Sequence, residues 1–294
     1  MNKRVLRGGV TIGILLVLFW KISFSHVIRI IMETDPIPLI VSTPLIALLY
    51  AFRTAKWQMM LRYVGIETDF MHNYKSVMKG MFYGLATPGR AGELARALLF
   101  EKKSAVFATV VWEKITDAFF VVLLCAFSLL FFFQNWSLFL LITGAALAVI
   151  LTSMILIHGK TISYITSLFA IPLTASQDYF IYSRRFAKDM PLNAKMMIPT
   201  IAYYADCFGI AFLILRALNP SLPAMLIFSL PIIILLGNVP ISFSGIGVRE
   251  MVTSITFHAV GADPAYGASY GFLLFFMITV IPGLVGGVLH YCET

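Results

Sequence analysis

Two short stretches of this 294-residue chain place glycine and charge inside otherwise apolar sequence. The first is Pro88-Gly89-Arg90-Ala91-Gly92-Glu93, with Arg96 one turn further on. The second is Gly245-Ile246-Gly247-Val248-Arg249-Glu250, preceded by Ser242 and Ser244. Glycine lets backbone approach a ligand closely and takes positive φ. A helix that starts just behind it aims unpaired N–H groups, and the positive end of its dipole, at whatever lies in front. Arginine forks two hydrogen bonds onto one phosphate or carboxylate. The shared chemistry is anion capture, which suits an anionic lipid head group or a phosphodiester. Glu93 then either steadies an arginine or meets a cationic part of the ligand. The plain alternative is a helix-breaking hinge closed by an Arg–Glu pair, with a tight turn and a surface ion pair at the second stretch. Two motifs in matched positions, and the cost of ions inside a membrane, favour a ligand.

Three further carboxylates stand in apolar runs. Glu113 and Asp117, four residues apart, share one helix face. They either neutralise Arg90, Arg96 or Arg249, which is the first expectation, or carry a proton in coupled transport. Asp206 lies about ten residues into its run, roughly 15 Å deep at 1.5 Å per residue, beside Tyr203 and Tyr204. A buried carboxylate needs a partner or a proton; an ion pair with a motif arginine is expected, with proton coupling second. Lys114 is expected to face elsewhere and snorkel. Trp57, Trp112 and Trp136 are expected to be interface anchors.

The elements that must position these residues are membrane helices. The chain is 60% hydrophobic and 12% charged, with a mean hydropathy of +0.89. A soluble fold of this size has too little interior to hide so much apolar surface. A free soluble enzyme, a disordered chain and a secreted disulfide scaffold are excluded. The expected fold is an all-α polytopic membrane protein of about six full spans plus two re-entrant helical hairpins, related as an inverted repeat, in one domain over 1–294. The basic N-terminus leads into an uncleaved first span over about 8–24, with its start in the cytoplasm. The first half runs over about 36–157, with spans at 36–52, 104–133 and 137–157 and a hairpin at 76–100. A basic cytoplasmic or interfacial segment covers 158–195. The second half runs over about 196–291, with spans at 196–218 and 265–291. Its segment 222–260 is broken at Pro231 and Pro240. Irregular backbone at membrane depth is tolerated only where protein buries it or a cavity receives it.

The net charge of +8 falls mainly in loops. There it sets topology and attracts anionic lipid, so nucleic-acid binding is not expected. Cys125, Cys207 and Cys292 read as small buried hydrophobes, not a disulfide framework. The five histidines have no metal-ligand spacing, and neither metal nor cofactor is expected. No P-loop, His-Glu-X-X-His, Gly-X-Ser-X-Gly, Asp-X-Asp or dinucleotide fingerprint occurs, which leans away from an enzyme.

Three stretches occur in a telling order: Thr87-Pro88-Gly89-Arg90-Ala91-Gly92-Glu93-Leu94-Ala95-Arg96, then Trp112-Glu113-Lys114-Ile115-Thr116-Asp117, then Pro240 through Glu250. Together they resemble the transmembrane domain of lysylphosphatidylglycerol synthases and its stand-alone, flippase-like relatives, over about residues 10 to 290. The resemblance implies a multi-span protein of a prokaryotic cytoplasmic membrane with two re-entrant hairpins. In the two-part synthases this domain is thought to flip the aminoacylated lipid. Stand-alone relatives are linked to hopanoid or polyprenyl-phosphate-sugar handling. The family's motif residues map onto Pro88, Gly89, Arg90, Gly92, Glu93, Arg96, Glu113, Asp117, Gly245, Gly247, Arg249 and Glu250. The departure is the missing aminoacyl-transfer domain, so the chain is not expected to make lysyl-lipid itself. The expected function is translocation of an anionic phospholipid or a polyprenyl-phosphate-linked lipid. The alternatives are a membrane-embedded transferase with Glu113 or Asp206 as base, or a non-catalytic partner of a lipid-modifying enzyme or glycosyltransferase.

Overall fold

The computed structural model describes residues 24–85, 87, 90–133, 144, 177–238 and 244–293. Among these, the secondary structure is helical throughout. Helix α1 covers Phe24–Met32. Helix α2, Pro36–Tyr63, starts under Asp35, whose carboxylate accepts the Ile37 N–H at 2.9 Å, with proline in the first turn. It runs on through Pro44 and ends just before Gly65, which takes φ +73°. Helix α3 is Phe70–Leu85 and is followed by a 3₁₀ segment, Ala91–Leu99. Helix α4, Lys103–Phe133, is 31 residues long. Helix α5 is Gln177–Lys188. Asp189 caps α6, Met190–Leu218, by accepting the Leu192 N–H at 2.9 Å. A second 3₁₀ segment, Ala224–Ser229, runs into α7, Leu230–Gly237, and α8 is Val248–Ala259. Asp263 caps α9, Pro264–Phe275. That helix continues through a π turn, Phe276–Val280, into α10, Ile281–Cys292.

The chain is an all-helical, polytopic membrane protein. Among the described residues, three continuous helices, Pro36–Tyr63, Met190–Leu218 and Pro264–Cys292, are long and apolar enough to cross a bilayer. At 1.5 Å per residue, 29 residues reach about 43 Å, against a hydrocarbon core of about 30 Å. The spans expected at 8–24 and 137–157 lie outside the described residues, as does 158–176 of the basic segment.

Two differences from the sequence expectation bear on the site. The span expected at 36–52 continues to Tyr63, because Arg53 to Tyr63 contains no breaker. Arg53 and Lys56 therefore lie within the helix and are buried inside the protein. Pro231 does not interrupt a helix. It stands in the first turn of α7, where its missing N–H has no partner to lose.

Helices α2 and α6 pack against each other along their length, and each broken segment leans on a helix of the other half: α3 on α10, and α7 on α4. Glycine makes the first of these contacts close. A Cβ at Gly286 would stand 1.9 Å from the Met78 carbonyl oxygen, and one at Gly283 would stand 2.3 Å from Leu85. The α8–α9 contact is as tight, with Gly267 facing the Thr253 carbonyl at 2.6 Å from the same imagined atom. Such small-residue seams are how helices approach where apolar burial alone gives no drive to associate.

Candidate functional site

The site begins with strained backbone. Arg90 has φ +56° and Ser244 has φ +49°, joined by Gly245 at +81° and Gly247 at +85°. Left-handed conformations in non-glycine residues persist only where their surroundings hold them. At the first break the hold is tight: a Cβ at Gly92 would meet the Tyr83 carbonyl oxygen at 2.0 Å. The Gly92 N–H is accepted by the Thr87 hydroxyl at 2.6 Å. The 3₁₀ segment is thereby folded back against α3, and Glu93 and Arg96 point inward, both about 1% exposed.

Around them lies a largely buried ion network drawn from three elements: α2, the 3₁₀ segment with its Arg90 cap, and α4. Arg53 of α2 bridges two carboxylates. Its Nη2 donates to Glu93 Oε2, and its Nε donates to Glu113 Oε1 at 2.8 Å. Arg96 donates to the other Glu113 oxygen and lies over the Trp57 ring, 4.2 Å from its centroid. Arg90 Nε pairs with Glu93 Oε1 at 2.6 Å, and Lys114 Nζ donates to Glu93 Oε2 at 2.5 Å. One turn along α4, Lys56 donates to Asp117 at 2.5 Å. A charge in low dielectric is tolerable only with partners of this kind.

The second break is wired differently. Glu250 Oε2 accepts the Gly247 N–H at 2.7 Å and so closes the start of its own helix. Arg249 makes no ion pair with a described residue, and its Nε is buried without a hydrogen-bond partner. Its guanidinium sits 4.8 Å from the Phe275 ring centroid. Gly237 and Gly245 make room for it: a Cβ on either would lie within 2.8 Å of Arg249 Nε.

Between the two breaks is a cavity of about 570 Å³. Its polar wall includes Arg53, Arg90, Lys114, Asp117, Tyr203, Tyr204, Asn238 and Arg249, with Tyr179 and Thr279 adding hydroxyl-bearing side chains; most of the rest is apolar, including Ile278 of the π turn. An apolar chamber with a few convergent polar groups is the usual form of a ligand site.

The model of the lysylphosphatidylglycerol synthase TM region matches residues 4–287. The chain belongs to that family. It is 24% identical to a UPF0104 membrane protein of Pyrococcus horikoshii, over 96% of this chain and 94% of the relative. It is 22% identical to a UPF0104 membrane protein of Methanocaldococcus jannaschii, over 90% and 87% of the two chains.

Within this member of the family, Arg90, Glu93, Arg96 and Glu113 form one network, while Arg90, Asp117 and Arg249 line one cavity. Gly92 allows the close approach to Tyr83, Gly245 and Gly247 provide the tight turn at the second break, and Glu250 caps α8. Ser244 is buried beside them, its hydroxyl without a described partner. Pro88, Gly89 and Ser242 lie outside the described residues, as does Trp136. Several expectations are corrected. Asp117 pairs with Lys56 and not with a motif arginine. Asp206 forms no ion pair with a described residue and does not line the cavity. At about 100° per residue it lies roughly 100° around α6 from the middle of the face formed by the cavity-lining Tyr203, Tyr204 and Cys207. Lys114 turns inward to Glu93 and does not snorkel. Trp57 is fully buried and donates to Thr109 at 2.9 Å; Trp112 donates to Asn193 at 3.1 Å and stacks on Phe186. Neither is an interface anchor. Cys125 and Cys207 are buried, but Cys292 is exposed at the end of α10.

Arg53, Lys56 and Lys114 are the site residues that the sequence reading missed. The available signal was the absence of any breaker between Phe52 and Gly65. It keeps Arg53 and Lys56 on one continuous helix, three residues apart and so on one face.

Proposed function

We propose that this protein translocates an anionic lipid head group across the membrane through the chamber between its two broken segments. The observation that carries this reading is that Arg90 and Arg249, one from each break, line the same cavity. A phosphate crossing hydrocarbon unaided pays the full cost of desolvation, of the order of several kcal/mol even after relaxation. An arginine-lined path replaces its water with fixed donors, while the apolar remainder of the wall accommodates the glycerol and acyl region. The cross-packing of α3 on α10 and of α7 on α4 supports a design in which each half holds one gate for the other. The setting is the cytoplasmic membrane of a prokaryote, with the basic N-terminus in the cytoplasm. Glu113 is a poor candidate for a transferase base, because both its oxygens are already held by guanidinium groups.

Purified protein in liposomes containing acyl-labelled phosphatidylglycerol or phosphatidate tests this. Dithionite should bleach inner-leaflet label in protein-containing vesicles and leave it protected in empty ones. The double substitution Arg90→Gln with Arg249→Gln should abolish the difference. If no anionic lipid moves faster than in empty vesicles, the reading fails.

A further inference from the structure

We infer that the chamber selects a dianionic phosphate head group, a phosphomonoester or diphosphate, over monoanionic phosphodiesters and over zwitterionic or cationic head groups. This rests on the reading that the chamber admits lipid head groups, and it adds the charge class of the cargo.

The first argument is charge balance. Lys56 and Asp117 form a one-to-one pair, and Arg249 and Glu250 cancel in number. What remains is four cations, Arg53, Arg90, Arg96 and Lys114, shared between two carboxylates, Glu93 and Glu113. The described site therefore carries two positive charges in excess. No Asp or Glu occurs in 1–23, 134–143, 145–176 or 239–243, so those segments bring no acidic side chain that could restore neutrality. Uncompensated charge of one sign in a low-dielectric chamber is costly, and a ligand bearing two negative charges removes the imbalance where one charge leaves half of it.

The second argument is unspent donors. Arg90 Nη2 reaches only the Met81 thioether, at 2.7 Å, and Arg53 Nη1 reaches the same sulfur at 3.4 Å. Thioether sulfur is a weak acceptor. Arg249 has a buried Nε with no partner. Lys114 has three donors and one acceptor. Arg90, Arg249 and Lys114 all line the cavity, so the free N–H groups and the excess charge coincide. A phosphomonoester presents three terminal oxygens to such a set; a diester presents two.

The test compares phosphatidate with phosphatidylmethanol, a monoanionic diester of nearly the same size, in the liposome assay with the full chain. Phosphatidate should move about tenfold faster or more, the equivalent of about 1.4 kcal/mol, with phosphatidylcholine slower than both. Arg249→Gln leaves one excess charge and should reduce that ratio to about two- or threefold, on the same scale. Because Arg249 has no ion pair with a described residue, this variant should remain folded, which a melting curve in detergent checks. Equal rates for the two lipids, or an undiminished ratio in folded Arg249→Gln, would overturn the inference while leaving lipid translocation standing. Movement of neither lipid would instead sink the underlying reading. Inorganic phosphate and pyrophosphate separate a lipid phosphate from a free one. If either raises the melting temperature while no lipid moves, the dianion is a soluble one and the lipid assignment is overturned.

Discussion

Glu93 and Glu250 each follow an arginine-bearing kink, but they are met by different neighbours. Glu93 receives Arg53, Arg90 and Lys114 from three directions. Glu250 turns back to the N–H of Gly247 and leaves Arg249 to an aromatic face. The first break is thus cross-braced to α2 and α4 by charge. The second is closed on itself by a helix cap and presents an unclaimed cation. The difference teaches that similar sequence around the two kinks encodes a charge-braced wall and a self-capped wall of one cavity.

The largest effect expected from this contrast lies at Glu113. Glu113→Gln leaves Arg53 and Arg96 buried without a full counter-charge and should cost about 3–5 kcal/mol, as breaking a buried pair typically does. A drop in melting temperature, or loss of folded protein on size exclusion, measures it. A stable Glu113→Gln protein would mean that the network braces nothing. Next come the glycine seams, where the two halves should agree. Gly286→Ala and Gly267→Ala each force a Cβ into backbone and should each cost about 1–3 kcal/mol by overpacking, whereas Gly209→Ala, with nothing within 4 Å, should be neutral or stabilising. If only one seam is sensitive, the contrast between halves extends beyond charge. Third, Glu250→Ala removes one capping contact and should cost about 1 kcal/mol, several times less than Glu113→Gln in the same melting assay. An equal loss would erase the distinction between brace and cap.

The smallest effect belongs to the contact between α3 and the end of α10. Glu293 accepts hydrogen bonds from Lys75 and Lys79 at 2.8 and 2.7 Å, which hold its carboxyl down to about 2 from an ordinary 4.5. The ionised form therefore favours the folded state above about pH 4.5, and that contribution fades as the pH falls toward about 2. The site is exposed, so the effect is slight. The melting-temperature gap between wild type and Glu293→Gln should narrow between about pH 6 and about pH 3.

Membrane helices and both kinks were legible in the sequence, because proline, glycine and charge inside an apolar run are local signals. The fate of the charges was less so. Arg53 and Lys56 lie near a basic loop and read as interfacial, but burial depends on α4 and the 3₁₀ segment arriving from elsewhere in the chain. The inward turn of Lys114 is not legible from its own helix, because its partner, Glu93, is on another element. Trp57 looks like an interface residue until the guanidinium of Arg96 and the hydroxyl of Thr109 are seen around it. Asp206 could be located in depth but not in azimuth, and azimuth decided that it misses the cavity.

The π turn at Phe276–Val280 has a last consequence. Tyr50 of α2 donates its hydroxyl to the Ile278 carbonyl at 2.5 Å, occupying an acceptor inside the widened turn. Before the turn, Gly267 and Gly271 are in phase with α8; after it, Gly283, Gly286 and Gly287 are in phase with α3. The final helix therefore works like a shaft with two keyed ends, and the surplus residue of the π turn sets the angular offset between the keys. Removing one residue there would rotate the lower key by about 100° and leave its three glycines facing no groove.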